Sequence, residues 1–452
     1  MKKRYLILAA LVIALASCGQ ETTVIDKVLQ PDADYGAHGV AVAADAGATN
    51  SGDVALSITQ KDGVVLLGGH GCANADAVCA NLASQDAWVA AAWSFDSAGE
   101  PNAAFNGDGV FSDNNAAGGG RTNVVFAVAN SSGGYRLAGG GRNSSGDEDA
   151  VVWALTDNGA PDSSLYSGGK AVLPEVAGTG TLDDVFAMQP ATGYTWLAGT
   201  IKTSDFKMAV WRVKDDGSLD SGFDGDGVFV SSPSGGIEWA NGMTLASDGS
   251  LLLAGTHYEG SAKARVWKVK AAGGLDQGYG VSGVVDLPLP SGASGRALAI
   301  VNDAGEAVAA GTVSAGGAAH LAIWRLKDNG SPDVNFGNGG MLILDGESPA
   351  NYYRAKVAVA VDDQGYYWLV GGLKNDSGNL DMAVWRVTPE GKLDAHFCNG
   401  GPCVFDNAAG GHGDDWGTDL ALADDAIYVG GWSWNGHDFD AVVWKLGLVE
   451  QQ

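Results

Sequence analysis

Basic residues are scarce in this chain. Its 452 residues include 26 lysines and arginines against 53 aspartates and glutamates, for a formal net charge of −27. A field of that sign repels phosphate backbones and excludes nucleic acid as a partner. Charged residues of both signs make up only 17% of the chain and apolar ones 46%, which excludes a disordered polymer. Past the N-terminus no apolar run is long enough to span a bilayer. The patterns that mark common catalysts are missing as well. His38, His70, His257, His320, His396, His412 and His437 are scattered without metal-protease spacing, and there is neither a nucleophile elbow nor a phosphate loop. No residue is therefore assigned a catalytic role.

The apolar run that does exist extends from Tyr5 to Leu15, behind Lys2, Lys3 and Arg4. This is the size and polarity of a signal-peptide core, too short for a membrane helix. It ends in Leu15-Ala16-Ser17-Cys18, which resembles the lipobox of bacterial lipoproteins. The resemblance implies a signal peptide over residues 1–17, lipid modification of Cys18, a tether over 18–29 and a membrane contact through that lipid alone. Gly19, where an aspartate would mark retention at the inner membrane, favours an outer-membrane or surface location.

Cysteine is limited to five residues. With Cys18 acylated, Cys72 and Cys79 share one short loop and Cys398 and Cys403 another, so outside the cytoplasm two local disulfides are expected. Zinc would need four converging ligands, and the two pairs lie far apart in sequence without histidines at metal spacing.

Glycine, in contrast, is abundant at 69 residues, and it falls in a repeat. Tryptophans recur in the same setting at Trp93, Trp153, Trp211, Trp267, Trp324, Trp385 and Trp444, with spacings of 60, 58, 56, 57, 61 and 59. A second marker, an apolar run ending in glycine, keeps the same beat at Gly68, Gly139, Gly199, Gly255, Gly311, Gly371 and Gly430. Within residues 239–286 the alternation and turn chemistry predict four short strands, WANGMTLA, SLLLAG, ARVWKV and GVVDLP. Four antiparallel strands repeated at this period make the blades of a propeller. The last copy stops after its third strand, AVVWKL, while LQPDADYGAHGVAVA near the N-terminus matches a turn and fourth strand without the first three. Pairing these fragments removes two exposed edges. The expectation is an all-β, seven-bladed β-propeller of four-stranded antiparallel blades over residues 30–449, closed by the N-terminal strand completing the last blade, with 450–452 as a tail.

The segments MAVWRVKDDGSLDSGFDGDGVFV and LAIWRLKDNGSPDVNFGNGGMLIL resemble the delta-60 repeat family, β-propellers of bacterial surface and secreted proteins. That resemblance implies fold and location but no defined activity. Its least regular copy here is DNGAPDSSLYSGGK.

In such a blade the first-to-second and third-to-fourth strand turns leave one face of the ring, and the remaining connections leave the other. The first face is monotonous, with Gly and Asp turns repeated from copy to copy. Asp224 and Asp226 in the DGDG turn are the one place where calcium is conceivable, but sister copies replace Asp226 by Gly or His, so a turn is preferred and no cofactor is expected. The second face varies, as binding faces on rigid scaffolds do. Its densest cluster of aromatic and acidic residues lies at blade seven: His412, Asp414, Asp415, Trp416, Trp432, Trp434, His437 and Asp438. Tyr352, Tyr353 and Arg354 enter blade six on the same face, and Trp239 enters blade four. Aromatic planes beside carboxylates suit a sugar or a protein hot spot. The expected role is a binding or scaffold module for an envelope protein or glycan. The alternatives are an extracellular polysaccharide hydrolase or lyase and a purely structural envelope component. Some of these aromatics are equally suited to packing between blades.

Overall fold

The computed structural model describes residues 26–43, 45–46, 51–72, 88–174, 182–232, 235–344 and 356–450. Seven antiparallel sheets succeed one another in chain order, six of four strands and one of five. Blade four is representative: Ile237–Leu245, Leu251–Tyr258, Ala262–Val269 and the short outer strand Val284–Asp286 pair in sequence, as the alternation predicts. The seven marker tryptophans of the third strands are all at most 2% exposed. They pack between neighbouring sheets, which is why their spacing counts the blades.

The first strand of each blade lies innermost, and most carry a β-bulge at an equivalent place, after Ala55, Val125, Val185, Ala240, Ala297 and Gly417. A bulge bends a strand and increases its twist. Repeated around the ring, it lets straight sheet edges converge on one axis.

The monotonous turns prove to be the fastening between blades. In blade three, Asp220 accepts the Gly222 amide at 3.0 Å and pairs with Arg212 at 2.7 Å. Phe223 is fully buried, edge-on to Trp196. The amide of Asp224 donates to Ala272 of the next blade at 3.1 Å. Equivalent links run from Asn106 to Asn158, Tyr166 to Asp215, Gly280 to Asn329, Gly337 to Glu390 and Gly36 to Ala98. The receiving turn must present a glycine, since a Cβ at Gly391, at φ +74°, would stand 2.7 Å from the Phe336 ring. The irregular second copy keeps the arrangement with Tyr166 as its buried ring, at the start of the short turn Tyr166–Gly169. Asp226 accepts the Val228 amide at 2.9 Å and so acts as a turn cap. Asp226→Ala is expected to cost about 1 kcal/mol, with a urea midpoint shift that is the same in calcium and in EDTA.

Between blades six and seven the link takes another form, because the first and last described strands pair there. The N-terminal strand Lys27–Pro31 pairs with Leu446–Glu450, and Val40–Val42 pairs with Val442–Trp444 of the same long strand, Phe439–Glu450. Ring closure therefore uses two N-terminal strands, and pairing begins at Lys27, inside the segment assigned from sequence to the tether. The Lys27 amide donates to the carbonyl of His396 at 2.6 Å, replacing the missing turn-to-turn bond. Cys398 and Cys403 are disulfide-bonded as expected. Their loop abuts this closure, with the Leu29 amide 3.4 Å from the Cys403 sulfur.

Candidate functional site

The variable face carries a loop motif that appears in three blades. Before the third strand of blades two and six the sequence reads NSSGDED and NDSGNLD, and in blade seven the shorter NGHDFD. The side-chain oxygen of each asparagine caps the turn. Asn375 accepts the amides of Ser377 at 2.9 Å and Asn379 at 3.1 Å, and Asn143 and Asn435 do the same in their own loops. Gly146, Gly378 and Gly436 supply the positive φ that the reversal needs. The asparagine nitrogen then donates to the aspartate that opens the strand: Asn143 to Asp149, Asn375 to Asp381 and Asn435 to Asp440, at 2.8–3.0 Å. The motif thus aims a carboxylate at the junction with the next blade.

The next blade answers with a carboxylate of its own. Asp53, Asp183, Glu238 and Asp415 hold the same position of the inner strand, ahead of its bulge. At the junction of blades six and seven, Asp381, Asp406 and Asp415 each bring one oxygen within 4.8 Å of the others. Asp415 accepts the Asn407 amide at 2.8 Å, and burial pushes its pKa up to about 6. Asp381 is raised by burial and by Asp406 and Asp414. At the junction of blades seven and one stand Asp53, Asp45, Asp438 and Asp440. Burial, then Asp438 and Asp45, push Asp440 to about 6 against the lowering effect of Asn435.

The residues expected from sequence divide between surface and core. Asp415 and Asp438 enter the acidic junctions. Asp414 accepts the Leu380 amide at 2.9 Å and clamps blade seven to blade six. Trp434 is half-buried, edge-on to Phe439 at 5.2 Å, and His412 and His437 are exposed beside it. Trp416 and Trp432 do not serve the surface. They are 1% and 5% exposed and stack on each other in the core, so neither offers a ring face to a ligand. Trp239 is partly buried against Phe206 in blade four, away from blade seven. Cys18, Cys79, Tyr352, Tyr353 and Arg354 lie outside the described residues; Cys72 is buried. Asp53, Asp381, Asp406 and Asp440 went unrecognised from sequence, although the asparagine loops were a readable signal for two of them.

The central channel holds a further polar pair. Lys356, at the entrance of blade six, crosses to the carbonyls of Phe126 and Phe186. Burial lowers its pKa to about 8, partly offset by Asp419. Asp419 is committed to blade one, accepting the Ser57 hydroxyl at 2.9 Å and the Ile58 amide at 3.1 Å. Amine and carboxylate both act as ties across the ring rather than as an acid–base pair facing substrate.

Residues 305–336 match the family model described as a domain of unknown function (DUF5122) beta-propeller. No curated protein matches. Among solved structures, a protein of unknown function from Dyadobacter fermentans is 11% identical at a TM-score of 0.42, over 91% of this chain and all of the other. The propeller domain of the Trilobed protease from Pyrococcus furiosus is 8% identical at 0.42, over 88% of this chain and 97% of that one. A Trypanosoma rangeli sialidase is 12% identical at 0.41, over 93% of this chain and 57% of its own.

Proposed function

We propose that this β-propeller is a lipid-anchored module of the bacterial cell envelope that uses its variable face to bind an envelope protein or glycan. One observation carries the reading: the two faces are built for different work. The turn face spends its polar groups on blade-to-blade links. The opposite face keeps Trp434, His412 and His437 at the surface of blade seven, beside two junctions rich in carboxylate. A half-exposed tryptophan edged by polar groups on a rigid scaffold suits a binding hot spot. The leader and Cys18 support the location.

The test uses the mature chain without Cys18, offered to isolated envelope and to purified cell-wall glycan. The wild type is expected to be retained, and Trp434→Ala with His437→Ala is expected to weaken retention at least tenfold. Unaltered retention of that variant would move the binding face elsewhere, and absence of retention by the wild type would remove the reading. In cells, Cys18→Ala is expected to shift the protein from the membrane to the soluble fraction.

A further inference from the structure

Asp53 opens the inner strand of blade one and is 1% exposed. Neither of its oxygens reaches hydrogen-bonding geometry with a donor, although the Ala46 amide stands near enough to favour the charged form. Among the described residues the charged groups that face it are Asp45, Asp440 and Asp438. Asp438 and Asp440 are held together by one donor, the Asn435 side-chain nitrogen, at 2.6 and 2.9 Å.

Elsewhere the ring neutralises a buried acid with a cation of its own. Glu238, at the same strand position in blade four, faces Arg265 at 2.7 Å and His257 at 3.3 Å. Among the described residues every charged group that perturbs Asp53 and Asp440 is another aspartate. Buried carboxylates without a counter-ion must take up protons or a cation. The junction of blades six and seven repeats the pattern with Asp415 for Asp53 and Asp381 for Asp440, and there three oxygens already lie within 4.8 Å of one another.

We propose that Asp53, Asp440, Asp438 and Asp45 form a divalent-cation site at the junction of blades seven and one, with Asp381, Asp406 and Asp415 as its counterpart one junction away. The donor set is carboxylate oxygen without sulfur or imidazole, which selects a hard cation. The ligands come from separate loops without octahedral preparation, which favours Ca2+ over Mg2+. Bound there, the ion ties the C-terminal blade to the first described blade. The proposal holds whether or not the face binds a partner.

The experiment is thermal unfolding and calorimetry of the EDTA-stripped mature protein at neutral pH, titrated with CaCl2. Calcium is expected to raise the wild-type Tm and to bind with measurable stoichiometry. Without calcium, Asp53→Asn is expected to unfold at a higher temperature than wild type, because a buried charge is removed. With calcium, it should lose part of the shift and one equivalent of bound ion. Asp440→Asn, at a less buried position, should behave alike and covers the case in which Asp53→Asn fails to fold. Asp415→Asn should remove the other equivalent. A wild-type Tm unmoved by millimolar calcium, or equal shifts in wild type, Asp53→Asn and Asp440→Asn, would overturn the assignment.

Discussion

Removal of residues 26–31 is expected to unlatch the ring. Those residues include the whole Lys27–Pro31 strand, whose register runs from Lys27 opposite Glu450 to Pro31 opposite Leu446. They also supply the Lys27 amide to His396, a backbone link across the seam between blades six and seven. Leu29, 3% exposed, lies in the core that contains Trp368, Phe397 and Cys403. Burial of one leucine contributes about 2 kcal/mol, and each lost ladder bond about 1 kcal/mol. The total, on the order of 5 kcal/mol, approaches the net stability of an ordinary domain. Urea denaturation followed by tryptophan fluorescence should show a large drop in midpoint, with loss of the single cooperative transition; a wild-type midpoint would refute the seam. The complementary construction is a circular permutant. Because Lys27 lies opposite Glu450, an Asn-Gly turn between them closes an ordinary hairpin. New termini at the exposed Asp248-Gly249 turn interrupt no strand. This permutant is expected to keep the wild-type midpoint.

The second large effect is a trough in stability around neutral pH when divalent cations are removed. Asp415 and Asp440 have folded pKa values raised to about 6 from 3.8. A raised acid binds its proton more tightly when folded. Its contribution is complete below the unfolded pKa and is lost as pH rises through 6, by about 3 kcal/mol for Asp415 and by less for Asp440, which solvent screens more. Lys356 acts in the opposite direction, since its folded pKa is lowered to about 8 from 10.5. Between those values the unfolded chain holds the extra proton, so stability climbs with pH by about 3 kcal/mol. Higher still, burial of the Tyr35, Tyr279 and Tyr367 hydroxyls reverses the climb. Urea midpoints in EDTA should therefore be lowest between about pH 6 and 8. Asp415→Asn should flatten the acid limb and Lys356→Met the alkaline one. Calcium, if it occupies the junctions, should fill the trough from the acid side only. A profile that peaks at neutrality in EDTA would contradict the burial of these groups.

Part of the candidate site was visible in the linear chain. Asp415 and Asp438 stood out because they belong to or border irregular loops, on the face where the repeat relaxes. Trp416 and Trp432 fall in the strands beside those loops and were equally conspicuous, yet both are core. An aromatic residue at the mouth of a strand reads alike whether it points outward or between sheets. Asp53 and Asp440 were missed because each looks ordinary in its own blade, and only ring closure sets them side by side.

The sequence by itself determined the number of blades, the strand order within them and the position of the closing seam. These depend on local signals, the two-residue alternation of strands and the glycine and aspartate chemistry of turns, repeated often enough to be counted. Only the tertiary structure decided that the DGDG turn is fastened to the next blade and that carboxylates cluster at two junctions on the other face. A turn cap and an ion site use the same residue types at similar spacings. What separates them is whether the oxygens meet backbone amides of their own turn, as Asp226 meets Val228, or face carboxylates brought from the far end of the chain, as Asp53 faces Asp440.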